Sequence, residues 1–289
     1  MHSFFIIGSG SVLKSTIDEI LKNKGVIKTI YVDNTRDEKR YSKVYRTKDI
    51  ICLDDDSGFL ANSIDAFTWL ISADNKKIIN EPILSLFNGR ALNFHPGILP
   101  EYTGLYCYQY AVFNGENEFA STIHFMHPEV DRGDIVVEKR FPIENVDTGL
   151  SIYQKSLKFG ALAIQEILSK IISNFDLPRQ PQKNGIRNTY TRAKPYKIEI
   201  NWDQSSDGII NSIRASNFYP LRPPAFQMCF EGSPVHKAVC LKDKTDKQAG
   251  TVLNFDEGKI RVASGDQYLI EITLDGCAAP ERKRGGRMS

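Results

Sequence analysis

The 289-residue chain has only five cysteines, Cys52, Cys107, Cys229, Cys240 and Cys277, with no C-x-x-C pair and no zinc-ligand spacing. That pattern argues against a zinc ribbon and against a disulfide-stapled scaffold, and it fits free thiols in a reducing compartment. There is no long apolar run either. The opening MHSFFIIGSGS has no basic flank, and its apolar stretch is about one strand long, so neither a membrane span nor a secretory leader is expected. Charge of one sign is not in excess. Lys and Arg number 37 against 35 Asp and Glu, a balance unlike that of a chain built to coat nucleic acid. There is no internal repeat. No G-x-x-x-x-G-K-[ST] loop occurs, and Leu13 stands where a dinucleotide fingerprint needs its third glycine. The expectation is a cytoplasmic, enzyme-sized globular protein.

Short apolar runs punctuate the first half. SFFII (3–7), VIKTIYV (26–32), FTWLIS (67–72) and ALNF (91–94) read as buried strands. Leu13, Ile17, Ile20 and Leu21 share a helix face after the first of them. The charged stretch 33–49 reads as a loop. STIHFM (121–126) and DIVVEKRFPI (134–143) follow one another with no helix between, as a hairpin or mixed edge does. Residues 150–173 form a long amphipathic helix, with Leu157, Ala161, Ile164, Leu168 and Ile171 in step. The fold class expected is α/β: a Rossmann-like, mostly parallel sheet with helices on both faces. A proline-bearing stretch, 177–197, reads as a linker. Beyond it come a helix capped by Ser or Asp at 205–216 and five short strand-like runs, a small β-barrel-like (OB-like) domain. The expected boundaries are a catalytic domain over 1–176, the linker, a small β domain over 198–279 and a basic tail, 280–289.

The chemistry concentrates in two stretches. In LNFHPGILPEYTG (92–104), Asn93 and His95 are two apart on an extended segment, so their side chains point the same way. An amide and an imidazole together suit a carbonyl oxygen that becomes an oxyanion. In HPEVDRGDI (127–135), Asp131 sits on a turn, which presents it for chemistry or simply lets it cap its own backbone. His124 and His127 have strand-like surroundings, where a three-residue step puts them on opposite faces. A metal site is therefore not expected. Gly8, Ser9 and Gly10 form a strand-to-helix turn that suits an anion or merely starts the helix. Tyr106, Tyr108 and Tyr110 offer flat faces for a sugar or base, or pack a helix.

These two stretches, NFHPGILPEYTG and NGENEFASTIHFMHPEVDRGDIV, resemble the folate-dependent formyltransferase family. The order Asn-x-His, a leucine–proline turn, then Asp-x-Gly-x-Ile carries the likeness, and Asp131 lies 36 positions after His95. The region 186–216 with the strands after it looks like the C-terminal domain of the family's methionyl-tRNA and aminoarabinose-modifying members. There are departures. Thr103 stands where those members carry arginine, Gly97 where serine is usual, and Val12 where the purine-pathway member has asparagine.

The resemblance implies an acyl transfer. N10-formyltetrahydrofolate would be the donor, a primary amine the acceptor, and no metal would be needed. Asn93 and a protonated His95 would stabilise the oxygen. Asp131 would favour the charged imidazole and relay the amine proton through water. The pterin would sit against Ile78 and Ile79 and near the loop carrying His127 and Val130. Gly8, Ser9, Gly10, Tyr106 and Tyr108 would lie on the acceptor side. The amine expected is a nucleotide-linked amino sugar, with Arg36, Lys39 and Arg40 over its phosphates. Initiator methionyl-tRNA is the alternative acceptor, and a non-catalytic folate or nucleotide-sugar binder is the alternative class.

Overall fold

The computed structural model describes residues 2–32, 35–45, 50–52, 64–256 and 258–274. The basic tail 280–289 lies outside them. The chain divides into two compact units that alternate along the sequence. The first comprises residues up to 107, then 118–142 and 153–190. The second comprises 108–117, 143–152 and everything described from 191 onward.

The first unit is built on a seven-stranded sheet. Its strands are β1 (Ser3–Gly8), β2 (Val26–Val32), β3 (Ile50–Cys52), β4 (Thr68–Ala73) and β5 (Ala91–His95), with β7 (Glu118–Phe125) and β8 (Ile135–Pro142). The order is β3-β2-β1-β4-β5-β7-β8. The first five run parallel, while β7 and β8 form the antiparallel edge expected of a helix-free connection. A short pair, β6 (Tyr102–Gly104) and β9 (Asn188–Tyr190), lies apart from that sheet.

Alternation along the strands sorts the core onto two faces. Phe4 and Ile6 of β1, with Leu92 and Phe94 of β5, meet α1 (Gly10–Lys22) and α5 (Gly149–Ile172), whose Leu13, Ile17, Ile164 and Leu168 are fully buried. Phe5, Ile7 and Ala91 point the other way, against Ile83 and Leu84 of α3 (Glu81–Leu86). Helices therefore cover both faces. Asn80 caps α3, its side chain accepting from the Ile83 amide at 3.2 Å.

One expectation fails on this unit. The stretch read as a charged loop contains α2 (Thr35–Tyr45). Its sequence is rich in charge, but Tyr41 and Tyr45 recur at helical spacing and stack. Tyr41 is buried, and its hydroxyl donates to the Gly10 carbonyl at 2.9 Å.

The second unit holds a curled six-stranded sheet in the order β10-β11-β12-β15-β14-β13, barrel-like but not closed. Its strands are β10 (Lys197–Glu199), β11 (Gln227–Phe230), β12 (Ser233–Lys244), β13 (Val252–Asp256), β14 (Lys259–Ala263) and β15 (Tyr268–Leu274). The five expected strands are there, and β10 is added parallel to β11. Helix α6 (Ser206–Ser216) starts at Ser205, whose hydroxyl accepts from the Gly208 amide. The region around α4 (Cys107–Phe113) explains the alternation of the units. Tyr108 packs on Phe218, Tyr110 and Phe113 pack on Phe226, and Gln109 exchanges hydrogen bonds with the backbone of Ala225 and Phe226. The presumed linker 177–197 is likewise divided: β9 belongs to the first unit and β10 to the second.

Candidate active site

The candidate site lies at the carboxyl end of the parallel strands, where open α/β sheets place their ligands. Asn93 and His95 are on the α3 side of β5. Directly across the antiparallel pairing, Asn93 faces His124 of β7. The Asn93 amide nitrogen lies 3.1 Å from His124 Nε2, and its Oδ1 accepts from the Ser72 hydroxyl at 2.6 Å. His124 Nδ1 donates to the Phe125 carbonyl at 2.8 Å, which leaves Nε2 to accept from Asn93. The amide orientation follows from that chain of donors.

Asp131 closes the cluster. Its Oδ1 is 3.5 Å from His124 Nε2 and its Oδ2 is 3.6 Å from His95 Nδ1. Oδ2 also accepts from the Gly104 amide at 2.8 Å. Gly104 has φ +87°, and a Cβ there would lie 2.4 Å from the Tyr190 carbonyl oxygen, so glycine is required for this approach. His95 Nε2 is 2.7 Å from the Tyr102 carbonyl oxygen, to which it donates. Asn93, His95 and Asp131 thus converge, but through a fourth residue, His124, that sequence reasoning set aside.

Burial and neighbouring charge shift both titratable groups of the cluster. Burial pushes the His95 imidazole down, more than the facing carboxylate lifts it. For Asp131, burial pushes upward, but the two imidazoles and the Gly104 amide outweigh it. The carboxyl is held well below the usual range. These directions favour an ionised Asp131 beside a His95 that takes up a proton less readily than a free imidazole. The 3.6 Å gap, too long for a hydrogen bond, agrees with two lone pairs facing one another.

This arrangement sets a pH dependence of stability. His95 binds its proton less readily folded than unfolded, so its contribution is intact above the ordinary imidazole value of about 6.5 and falls as pH drops below it. Asp131 adds a loss of the same sign at lower pH, since its stabilisation is present above about 3.9 and fades through its lower folded value. The urea midpoint is expected to fall between about pH 7 and pH 5, and less so in His95→Gln. Equal slopes in the two proteins would contradict the downward shift of His95.

The other expected site residues are more scattered in character. Ile78 and Val130 are exposed apolar side chains, 71% and 52% accessible, on segments flanking the site strands. His127 is exposed, and its Nδ1 accepts from the Glu129 amide. Ile79 is not available in this way: it is buried in the core with Phe5 and Ile83. Gly8, Ser9 and Gly10 do form the turn into α1, but it carries a carboxylate neighbour. Ser9 Oγ donates to the Asp74 carbonyl, and Asp74 Oδ2 accepts from Tyr153 while lying close to Gly10. That negative charge opposes an anion there. Tyr106 is part-exposed with φ +64°, whereas Tyr108 is buried against Phe218. The side chain of Arg36 lies outside the described residues. Lys39 and Arg40 are on the exposed face of α2.

Sequence reasoning missed His124 and Ser72. His124 was weighed only as a metal partner for His127. The usable signal was its place in a strand, two positions from Thr122 on the same face, with Asp131 shortly beyond.

The family model described as "Formyl transferase" matches residues 60–168, and that described as "Formyl transferase, C-terminal domain" matches residues 192–279. The chain belongs to the formyl transferase family. This formyl transferase is 27% identical over 231 residues to the methionyl-tRNA formyltransferase of Methylacidiphilum infernorum (isolate V4), covering 76% of this chain and 71% of that protein. The methionyl-tRNA formyltransferase of Latilactobacillus sakei is 28% identical over 208 residues, covering 71% of this chain but only 63% of the relative. Among solved structures, the formyl transferase superposes on WlaRD, a sugar 3N-formyl transferase solved in the presence of dTDP and 5-N-formyl-THF. The TM-score is 0.78 at 21% identity, over 96% of this chain and 99% of that one. An N-formyltransferase from Helicobacter canadensis, in complex with folinic acid and dTDP-3-aminofucose, gives a TM-score of 0.75 at 19% identity. That match covers 95% of this chain and all of the other.

Proposed function

We propose that this protein transfers a formyl group from N10-formyltetrahydrofolate to the primary amine of a nucleotide-linked amino sugar. The observation that carries the transfer step is the buried, ionised Asp131 set between two imidazoles, with the Asn93 amide fixed beside it. The amine nitrogen attacks the formyl carbon, and the carbonyl oxygen gains the negative charge. An amide nitrogen carries two hydrogens. Asn93 gives one to His124 and offers the second to that oxygen, and His95, whose single N–H is held by Tyr102 at rest, joins it as a donor once its Nδ1 has taken up a proton. The amine proton passes to the carboxylate–imidazole cluster, either directly or through water. That proton is then returned to N10 as the carbon–N10 bond breaks and the carbonyl re-forms, which releases the formylated amine and tetrahydrofolate. Ile78 and Val130, both exposed and apolar, suit the flat pterin.

The sugar acceptor is supported by the extent of the likeness. Both sugar-formylating structures are covered nearly end to end, while the tRNA relatives are covered in part. The second reading, methionyl-tRNA, is favoured by those same relatives. Thr103 bears on the choice in one respect only. It is buried, its hydroxyl donating to the Asn188 carbonyl and meeting Thr189 Oγ1, so it stands inside the first unit and not at an acceptor.

The test measures tetrahydrofolate release with formyl donor and either dTDP-linked amino sugars or charged initiator tRNA. Release is expected with an amino sugar and not with tRNA. Turnover with tRNA alone would overturn the sugar acceptor. Folate binding without turnover on any amine would favour a non-catalytic binder. Acceptor affinity should also depend shallowly on salt for a nucleotide sugar and steeply for tRNA.

A further inference from the structure

The stretch 180–190 of the first unit carries a feature that the transfer chemistry does not use. Gln182 Nε2 donates to the carbonyl oxygens of both Asp131 and Gly133, at 2.8 Å each. Arg187 Nη1 donates to the same Asp131 carbonyl at 3.1 Å, and its Nη2 donates to Gln182 Oε1 at 2.6 Å. The segment is itself tied down on both sides. Gln180 exchanges backbone hydrogen bonds with Ile135 at 2.8 and 3.0 Å, and β9 pairs with β6. Asp131 has φ +56°, a left-handed conformation that a non-glycine residue keeps only when its surroundings hold it there.

We propose that Gln182 and Arg187 are positioning residues that clamp the Asp131 backbone in this conformation and so aim its carboxylate at His95, His124 and the Gly104 amide. The proposal rests on the reading of this site as the formyl-transfer centre. A carboxylate on a turn has two freely rotating side-chain bonds. What fixes its aim is the backbone that carries it, and here three donors from one segment converge on two carbonyls of that turn. The loop from Gln182 to Arg187 is closed on itself by the bond between their side chains, so the two act as one unit.

Arg187 has a second, electrostatic effect. Its cation disfavours the charged form of His95. The groups facing His95 are Asp131, His124 and Arg187. Asp131 also faces the buried Cys107 thiol, and Arg187 in turn faces Arg132, Glu129 and Glu101. Of these, Arg187 is the one whose removal changes both the clamp and the local charge. Gln182→Ala changes the clamp alone, and Arg187→Lys keeps the charge but loses the forked geometry.

The experiment uses the full-length protein and its Gln182→Ala, Arg187→Lys and Arg187→Gln variants. Two readouts are taken. In the transfer assay all three variants are expected to lose roughly ten- to a hundredfold in kcat, as misplaced groups do, with KM for the folate donor little changed. The pH midpoint of kcat should move upward in Arg187→Gln only. In native-state hydrogen exchange, the Gly104 amide, held by the Asp131 carboxylate, should lose protection in every variant while the Ile6 amide of β1 keeps its own. Equal acceleration at Gly104 and Ile6 would mean a merely structural role and would overturn the proposal. So would unchanged Gly104 exchange. If the wild-type protein formylates no amine, the functional reading fails, and the exchange measurement still decides the clamp.

Discussion

His95→Ala and Asp131→Asn are each expected to lower formyl transfer by roughly a hundred- to a thousandfold or more, with the fold retained. For Asp131→Asn the shape is preserved. The asparagine oxygen still accepts from Gly104, but the negative charge between the imidazoles is gone. What is lost is the group that receives the proton. For His95→Ala the loss is of a donor, together with its 2.7 Å hydrogen bond to the Tyr102 carbonyl, a bond of a kind that contributes about 0.5–1.5 kcal/mol to stability. Single-turnover tetrahydrofolate release separates these effects from binding. Near wild-type turnover in either variant would remove the assigned roles.

Gly97→Ser is the second change with a large expected effect, because it installs the side chain that the family resemblance anticipates. In this protein there is no room for it. A Cβ at position 97 would lie 2.3 Å from His95 Nε2 and 2.7 Å from the Tyr102 carbonyl oxygen. The Gly97 carbonyl is itself anchored by the Thr122 hydroxyl at 2.7 Å, so the backbone has little freedom to withdraw. The imidazole must turn away from Tyr102. We expect turnover to fall by about a hundredfold, from the displaced ring. Overpacking should add about 1–3 kcal/mol of destabilisation, read as a lower urea midpoint. Gly97→Ala should do the same, since the clash begins at Cβ. Unaltered kinetics in both variants would show that the His95 orientation is not used in catalysis.

The parts of this protein that were legible in its sequence are those fixed by local pattern. β2 spans Val26–Val32 as its run rich in β-branched residues predicts, and α5 spans Gly149–Ile172 as its apolar spacing predicts. The convergence of Asn93, His95 and Asp131 was legible from spacing along one strand and from family resemblance. Other features were hidden for physical reasons. Helix α2 is masked because its sequence is rich in charge, and only two tyrosines mark its inner face. β6 and β9 are three residues each and pair across more than eighty positions, a contact that no local window reports. The downward shift of His95 is not legible in the sequence because it depends on depth of burial, which composition does not record.

The alternation of the two units along the chain has an evolutionary consequence. Since 108–117 and 143–152 count with the second unit though they interrupt the first, no single crossover in the gene exchanges one unit intact for another. For the same reason, no single cut in the backbone divides the chain into one whole unit and the other.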